Sequence, residues 1–255
     1  MTKRLENRVA IVTGAAQNIG RNLAYRLAAE GAALVLADKL AEVVDQTAKE
    51  ITEETGAVTA AFAGDLSKEE AAAALFSLSV ERFGRVDILV NNAGGGVILP
   101  FLEHTPDTLR ETLDRNLWTT IWCIRAVLPH MVERRYGRII NIGAESVRNG
   151  LWMHAGYNAA KGGVHGLTTG LAREFATSCI TVNTVAPSGV ETKSERQFRL
   201  REKNPDFFNA VLGTIPLGRL ARMEEVSATV AFLASDEAAF ITGQVISVNG
   251  GSSML

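Results

Sequence analysis

The chain has 255 residues, of which 47% are hydrophobic, and its formal net charge is −2. This length and apolar content suit one α/β domain with a sizeable core, and the interspersed charges argue against a nucleic-acid partner. With two cysteines, no apolar stretch near about 18 residues and no ligand spacing among the four histidines, we expect a cytoplasmic protein without a disulfide framework, a membrane span or a metal site.

The first predicted unit is a strand, a glycine-containing turn and a helix. Residues 8–13 form an apolar run typical of a buried parallel strand, and the segment from Gly14 to Gly20 opens a helix predicted over residues 21–30. Such a turn points backbone N–H groups at one place, where the helix dipole favours a pyrophosphate. A second strand, predicted over residues 33–38, ends at Asp38, where a dinucleotide-binding unit places the acid that binds a ribose diol. The alternative is a glycine turn in some other α/β protein.

The rest of the chain alternates predicted strands and helices. Strands are predicted at residues 57–62, 87–91, 138–142, 180–185 and 244–248, and helices at 68–83, 107–134, 154–177 and 224–234. This alternation predicts a single α/β domain over residues 1–255, with a doubly wound, Rossmann-type parallel sheet of seven strands and helices on both faces. The irregular stretch 190–216 is the one long insertion, and we expect it to be a lid over the substrate.

Tyr157 and Lys161 are four residues apart on a predicted helix, so their side chains project from the same face. A tyrosine ionises near pH 7 only if its pKa falls by about three from its usual value near ~10, which costs roughly 4 kcal/mol. A nearby cation in a partly dry site can supply that free energy. The alternative is a half-buried tyrosine beside a solvated lysine, and the nucleotide-binding pattern upstream favours the catalytic interpretation.

Three motifs in one chain resemble those of the short-chain dehydrogenase/reductase family. Their order and spacing match over nearly the whole chain: Thr13-Gly14-x-x-x-Asn18-x-Gly20, Asn91-Asn92-Ala93-Gly94 and Tyr157-x-x-x-Lys161. The resemblance implies an NAD(P)-dependent oxidoreductase that interconverts a secondary alcohol and a ketone. The family has a glycine where this chain has Asn18, and because asparagine tolerates a left-handed backbone, we expect the turn to survive. The departure concerns cofactor affinity rather than the fold.

The resemblance also implies a set of site residues. Tyr157 would transfer the proton, Lys161 would hold the nicotinamide ribose and lower the phenol pKa, and Asn116 would hold a water that links the lysine to solvent. A solvated helical asparagine is the alternative for Asn116, and Asp65 would bind the adenine amine or cap the next helix. The cofactor contacts implied are Gly14, Gln17, Asn18, Ile19, Gly20, Asp38, Asp65, Leu66, Asn92, Ala93, Gly94, Tyr157, Lys161, Pro187, Gly189, Val190 and Thr192.

One departure from the family pattern concerns catalysis. The family's catalytic serine lies thirteen residues before the tyrosine, and this position is Ala144 here. Loss of one donor to the developing oxyanion costs roughly 10²–10³ in rate. Ser146 could replace it if the loop bulges, so we include Ser146 in the predicted catalytic set; the alternative is a hydroxyl that bonds local backbone. Ala144 also motivates a second hypothesis, a catalytically weak dinucleotide-binding or sensing protein, but the presence of Tyr157, Lys161 and Asn116 together favours the enzyme.

For the cofactor and the substrate, the sequence indicates a preference and a class. Asp38 would accept from both ribose hydroxyls and repel a 2′-phosphate, which favours NAD over NADP, although Lys39 could neutralise part of that repulsion. We expect a small-molecule substrate, either cyclic, as in ring degradation, or an acyl thioester, as in 3-oxoacyl reduction. Trp152, Met153 and His154 could form an apolar wall for a ring. Basic residues of the lid suit a carboxylate or a CoA phosphate, or they belong to a solvated helix: Lys193, Arg196, Arg199, Arg201 and Lys203.

Two long predicted helices indicate assembly into an oligomer. The helices over residues 107–134 and 154–177 resemble those that pair between subunits in this family. The first carries more apolar side chains than one sheet face needs, including Leu113, Leu117, Ile121 and Ile124. We therefore expect a homotetramer.

Overall fold

One seven-stranded parallel sheet organises the molecule. The computed structural model describes residues 3–192, 202 and 205–254. The strands are β1 Val9–Thr13, β2 Ala33–Asp38, β3 Thr59–Ala63, β4 Ile88–Asn91, β5 Gly137–Ile142, β6 Ile180–Pro187 and β7 Val245–Val248. Their order is β3-β2-β1-β4-β5-β6-β7, and all neighbours are parallel. The predicted Rossmann-type sheet is confirmed.

Helices connect the strands and cover the sheet. They are α1 Asn18–Ala29, α2 Ala41–Thr55, α3 Glu69–Phe83, α4 Pro106–Leu113, α5 Thr119–Arg134, α6 Ser146–Asn149, α7 Ala155–Phe175, α8 Pro205–Gly213 and α9 Met223–Ala234. The helices α2, α6 and α8 were not predicted from the sequence. Within the described residues, no helix is both long and apolar enough to cross a membrane.

The two faces of the sheet belong to two separate apolar clusters. Ala10 and Val12 of β1 pack in a cluster with Leu23 of α1, whereas Ile11 between them packs in a second cluster with Leu75 of α3. Because successive strand residues point to opposite faces, both faces of β1 are buried. This double burial explains why the strands are continuous apolar runs in the sequence, as parallel strands usually are.

The helix predicted over residues 107–134 is not regular. A π-helical turn, Asp114–Trp118, separates α4 from α5, and the hydroxyl of Thr119 donates to the Asp114 carbonyl at 2.9 Å. Such turns insert one extra residue into a helix and are frequent at functional sites. Here the turn contains Asn116, whose side chain is fully buried.

The predicted subunit interface on these helices is wrong in part. Ile124 is buried in an intramolecular cluster, so it does not present apolar surface to a partner. Leu117 packs against Gly163 of α7, where an added Cβ would lie 2.9 Å from its Cδ2 atom. The exposed apolar surface on these helices includes Trp118, whose ring stacks on Trp122 with a centroid distance of 5.2 Å.

The predicted lid over residues 190–216 lies partly outside the described residues, and its basic side chains from Lys193 to Lys203 lie entirely outside them. Its first described part is joined to the body by a parallel bridge between Val190 and Ala221. Its last part contains α8. The function of the segment as a lid stays a prediction.

Candidate active site

A cleft with a volume of about 770 Å³ lies at the carboxyl ends of the strands. All of the predicted site residues lie in the described part of the chain, and the structure brings most of them together around this cleft. Only Asp65 and Asn116 do not line it. The predicted residues that do line it are Gly14, Gln17, Asn18, Ile19, Gly20, Asp38, Leu66, Asn92, Ala93, Gly94, Ser146, Tyr157, Lys161, Pro187, Gly189, Val190 and Thr192.

The turn between β1 and α1 is built for close approach of the backbone. Gly14 has φ +65° and Asn18 has φ +50°, so both adopt the left-handed conformation. Asparagine tolerates this region better than most side chains, and the turn keeps its form despite the missing glycine. A Cβ added at Gly20 would lie only 1.9 Å from the Gly14 carbonyl oxygen. The turn therefore leaves no space for a side chain at Gly20.

The Asn-Asn-Ala-Gly segment after β4 braces that turn. The side-chain amide of Asn92 donates to the carbonyls of Thr13 and Gly14 at 3.0 and 3.1 Å. In the opposite direction, the Thr13 hydroxyl oxygen accepts from the backbone N–H groups of Asn92 and Ala93, both at 3.0 Å. These four bonds fix the glycine turn against the neighbouring strand.

Asp38 lies in the cleft at the end of β2. Its carboxylate accepts from the backbone N–H of Ala16 at 3.0 Å and from that of Leu40 at 3.2 Å. Lys39 points to Asp65 instead, with 2.9 Å between Nζ and Oδ1. The same Asp65 oxygen accepts from the hydroxyl of Ser67 at 2.7 Å. The charge of Lys39 is thus partly balanced by a neighbour across the sheet edge.

These observations fit a bound dinucleotide. The backbone at Gly14 and Gly20 packs too closely on its neighbours to admit side chains, and it lies at the start of α1, where free N–H groups and the helix dipole suit a pyrophosphate. Asp38 follows at the end of the adjacent strand, as the acid that binds the ribose does in such sites.

Tyr157 and Lys161 project from the first turns of α7 into the cleft. The Lys161 ammonium is buried, donates to the Ile142 carbonyl at 2.7 Å and lies 5.9 Å from the centre of the Tyr157 ring. Burial lowers the pKa of Lys161 to about 8. At neutral pH the lysine is therefore mostly charged, and a positive charge beside a phenol favours the phenolate.

Asn116 supports this region from below the cleft. Its side-chain amide donates to the carbonyls of Thr112 and Gly95 at 2.7 and 2.9 Å, and its oxygen accepts from the Gly95 N–H at 3.1 Å. A Cβ added at Gly94 would lie 2.7 Å from that oxygen and 3.3 Å from the Lys161 Nζ atom. The alternative of a solvated asparagine is wrong because the side chain is fully buried. Its role in a water relay stays a prediction.

Ser146 lies in the cleft wall at the first residue of α6, whereas Ala144 occupies the family's serine position. The Ser146 hydroxyl donates to Oδ1 of Asn158 at 2.6 Å, and the Asn158 amide donates back to the Ser146 carbonyl at 2.8 Å. The hydroxyl thus bonds a side chain rather than local backbone. It can reach a substrate oxygen as a donor only by rotating away from Asn158.

Two contacts on the side away from the cleft hold the loop before Ser146 in place. Glu145 is fully buried, and one of its carboxylate oxygens accepts from the hydroxyl of Ser253 near the C-terminus. The Nε2 atom of His165 lies 3.5 Å from the backbone N–H of Ala144 as its acceptor. Burial, together with the charges of Arg148 and Lys161, lowers the pKa of His165 to about 4, which keeps the ring neutral. Glu145 is not among the described residues that line the cleft.

The substrate side of the cleft is only partly as predicted. Of the three residues proposed as its wall, His154 lines the cleft, while Trp152 is 68% exposed and neither Trp152 nor Met153 lines it. The ring of His154 stacks on Phe207 of α8. The sequence analysis did not identify Phe207 or Asn158. The apolar pattern of Phe207 and its neighbours in α8 was the available signal, whereas Asn158 offers none.

Comparisons with known proteins extend over almost the whole chain. A family model described as Enoyl-(Acyl carrier protein) reductase matches residues 14–253. The chain is 55% identical to 2,3-dihydroxy-2,3-dihydro-p-cumate dehydrogenase of Pseudomonas putida, covering 98% of this chain and 96% of the relative. It is 38% identical to 1,6-dihydroxycyclohexa-2,4-diene-1-carboxylate dehydrogenase of Acinetobacter baylyi, covering 98% of each.

Two further matches are to a reductase and to a solved structure. The chain is 38% identical to a 3-oxoacyl (acyl-carrier-protein) reductase of Vibrio cholerae, covering 98% of this chain and 99% of the relative. The crystal structure of a putative short-chain alcohol dehydrogenase from Sinorhizobium meliloti matches with a TM-score of 0.91 and 31% identity, covering 99% of this chain and 98% of that one.

The chain belongs to the short-chain dehydrogenase/reductase family. It is an enzyme, an oxidoreductase that interconverts an alcohol and a ketone, as the sequence motifs predicted. The hypothesis of a catalytically weak sensing protein is thereby set aside.

Proposed function

We propose that this enzyme is an NAD-dependent dehydrogenase that oxidises a vicinal diol on a carboxylated cyclohexadiene ring. The observation that carries the proposal is the placement of Tyr157 and the buried Lys161 in one cleft with the aromatic wall of His154 and Phe207. The substrate class follows the names of the relatives that are 55% and 38% identical over 98% of this chain.

The residues of the chain would handle the proton and the geometry. Tyr157, as phenolate, takes the proton from one ring hydroxyl, and Lys161 stabilises that phenolate through its charge. A bound nicotinamide supplies the acceptor for the hydride from the carbon that carries this hydroxyl. The alcohol thus loses one proton and one hydride and becomes a ketone. Where the carbon with the second hydroxyl carries a hydrogen, loss of that proton and protonation of the ketone oxygen then convert the hydroxydienone into an aromatic catechol without further oxidation; where it carries the carboxylate, loss of CO2 takes the place of loss of the proton.

We propose NAD rather than NADP as the cofactor. Asp38 would accept hydrogen bonds from the ribose hydroxyls and would repel a 2′-phosphate. Lys39 is a neighbouring cation that could offset this repulsion, and its ion pair with Asp65 directs the charge elsewhere. Gly14, Gln17, Asn18, Ile19 and Gly20 would hold the pyrophosphate. The remaining contacts proposed for the cofactor are Leu66, Asn92, Ala93, Gly94, Pro187, Gly189, Val190 and Thr192.

A 3-oxoacyl thioester is the second candidate substrate, because the reductase of Vibrio cholerae is 38% identical over 98% of this chain. One assay separates the two. The purified enzyme is given NAD⁺ with a cis-dihydroxycyclohexadiene carboxylate, and separately NADH with an acetoacetyl thioester, and absorbance at the nicotinamide band is followed. We expect faster turnover of the diol. Turnover of the thioester alone would contradict the ring substrate.

We further propose that the enzyme is a cytoplasmic homotetramer. The stacked, partly exposed rings of Trp118 and Trp122 supply apolar surface on the helix pair that would meet a second copy. Light scattering at micromolar concentration tests this assembly, and a monomer mass would contradict it.

A further inference from the structure

The substrate proposed above carries two adjacent hydroxyls, and only one of them is oxidised. The second hydroxyl needs its own hydrogen-bond partner, since a polar group that enters a cleft without one loses its bonds to water. The polar side chains that line the substrate side of the cleft include Ser146, Asn149, His154, Tyr157 and Lys161. Tyr157 and Lys161 already have roles in the reaction.

Two of the remaining side chains are poorly placed to accept from a substrate. The Ser146 hydroxyl is already assigned as the donor to the reacting oxygen, for which it rotates away from Asn158. The side-chain oxygen of Asn149 is fully enclosed and has no partner among the described residues, so a ligand does not reach it. Of these side chains, His154 offers an acceptor in contact with the Tyr157 ring.

The hydrogen bonds of His154 fix which of its nitrogens accepts. Its Nδ1 atom lies 2.7 Å from the carbonyl oxygen of Trp152, and because a carbonyl can only accept, Nδ1 must carry the hydrogen. In the neutral ring the lone pair is then on Nε2. Burial lowers the pKa of His154, so the ring is neutral at pH 7. Among the described residues, the structure gives Nε2 no hydrogen-bond partner.

Two aromatic neighbours fix the orientation of this ring. It stacks on Phe207 with a centroid distance of 6.3 Å and an interplanar angle of 9°. It makes a T-shaped contact with the Tyr157 ring, with a centroid distance of 6.0 Å and an interplanar angle of 77°. His154 precedes α7 directly, and Tyr157 lies in its first turn, so both side chains are positioned by one rigid element. The acceptor thus lies next to the proposed proton acceptor, as adjacent hydroxyls on one ring require.

We propose that Nε2 of His154 accepts a hydrogen bond from the second, non-reacting hydroxyl of the substrate and thereby makes the enzyme selective for vicinal diols. The inference rests on the proposed function for its substrate class. The pairing is between neutral groups, and such a bond changes affinity by about three- to tenfold. A ligand with one hydroxyl would leave Nε2 unpaired and would bind correspondingly less tightly.

Two isosteric variants test the two nitrogens separately. His154→Asn keeps a donor near the δ position for the Trp152 carbonyl and removes the ε acceptor. His154→Gln places an amide oxygen near the ε position and keeps an acceptor there. The probes are catechol and phenol, which differ by one adjacent hydroxyl, and their dissociation constants are measured by calorimetry with saturating NAD⁺ present.

We expect the wild-type enzyme to bind catechol about tenfold more tightly than phenol. His154→Asn should bind the two about equally. His154→Gln should bind catechol about threefold more tightly than phenol. Trp152→Phe, a change at an exposed neighbour outside the cleft, should leave the ratio as in the wild type. An unchanged ratio in His154→Asn, or no preference for catechol in the wild type, would overturn the proposal. Because binding is measured without turnover, failure to oxidise a dihydrodiol would be a separate result and would contradict only the proposed function.

Discussion

The two ends of the cleft are built in different ways. At the cofactor end, the backbone makes most of the structure: Gly14 and Gly20 let main-chain segments approach closely, and Asn92 braces the turn through main-chain groups. At the catalytic end, side chains from separate segments meet, such as Ser146 with Asn158. A site made of backbone tolerates a change of one side chain, as Asn18 demonstrates. A site made of side chains depends on each partner, so we expect Ala144 to alter its chemistry.

The largest effect is expected where the backbone has no free space. In Gly20→Ala the new Cβ would overlap the Gly14 carbonyl at 1.9 Å, so the turn must open. We expect cofactor affinity to fall by at least about 10²-fold, corresponding to an overpacking cost of about 3 kcal/mol. The matched control is Gly170→Ala, because a Cβ at Gly170 meets nothing within 4 Å. Fluorescence titration with NADH measures both, and equal affinities in the two variants would mean that the turn is not the binding site.

The second prediction concerns the missing serine. Ser146→Ala should lower turnover by about 10²-fold, with cofactor affinity unchanged, because one donor to the reacting oxygen is lost. Ala144→Ser should leave turnover unchanged or raise it modestly, and it should rescue part of the loss when combined with Ser146→Ala. Steady-state kinetics under saturating substrate decide. Full activity in Ser146→Ala would mean that the hydroxyl stays with Asn158 and that the second donor is elsewhere.

The third prediction uses the buried lysine to compare stability with function. A pKa of about 8 for Lys161, against the ordinary 10.5, corresponds to a penalty of about 3 kcal/mol on the charged form in the folded state. The bond to the Ile142 carbonyl returns about 1 kcal/mol. At pH 7 the free energy of unfolding of Lys161→Met should therefore be about 2 kcal/mol higher than that of the wild type. The variant should be more stable and should lose activity.

The difference in stability between the wild type and Lys161→Met should change with pH. The folded pKa of Lys161 is lowered, so the unfolded chain binds more protons between pH of about 8 and 10.5, and the stability of the wild type rises over this range relative to the variant. Above pH 10.5 the penalty is gone and the bond to Ile142 remains, so the wild type should become the more stable by about 1 kcal/mol. Urea unfolding at pH 7 and at high pH measures the difference, and a constant difference would contradict the account.

The smallest effect is expected at the exposed ion pair between Lys39 and Asp65. Asp65→Asn frees the lysine charge next to the proposed ribose site, and the ratio of catalytic efficiencies with NADP and NAD should rise. Because both side chains are about half exposed, we expect a change of no more than about fivefold. Adding Lys39→Ala should remove the gain. A ratio that stays the same in Asp65→Asn would mean that Lys39 does not influence the cofactor.

The strands and the glycine turn could be predicted from the sequence for a common physical reason. Strand position follows from apolar runs and turns follow from glycine spacing, and both are local in the chain. The π-helical turn at Asn116 and the bond between Ser146 and Asn158 depend on contacts between distant segments, which no local pattern reports. α2 is harder to predict for a different reason, because its sequence is mostly charged and polar and buries only Val44, Thr47, Ala48 and Ile51. The wall at Trp152 was wrong because its backbone turns the side chain to solvent, whereas His154 two residues later faces the cleft.

The central claim is that Tyr157 transfers the proton in an alcohol dehydrogenase and that its phenol contributes little to the affinity for the cofactor. The direct measurement is turnover of a cis-dihydroxycyclohexadiene carboxylate by Tyr157→Phe, with NADH affinity titrated in the same preparation. We expect turnover to fall by about 10²–10⁴-fold while NADH affinity changes less than about threefold. Turnover within a few-fold of the wild type would contradict the account, because another group would then have to take the proton.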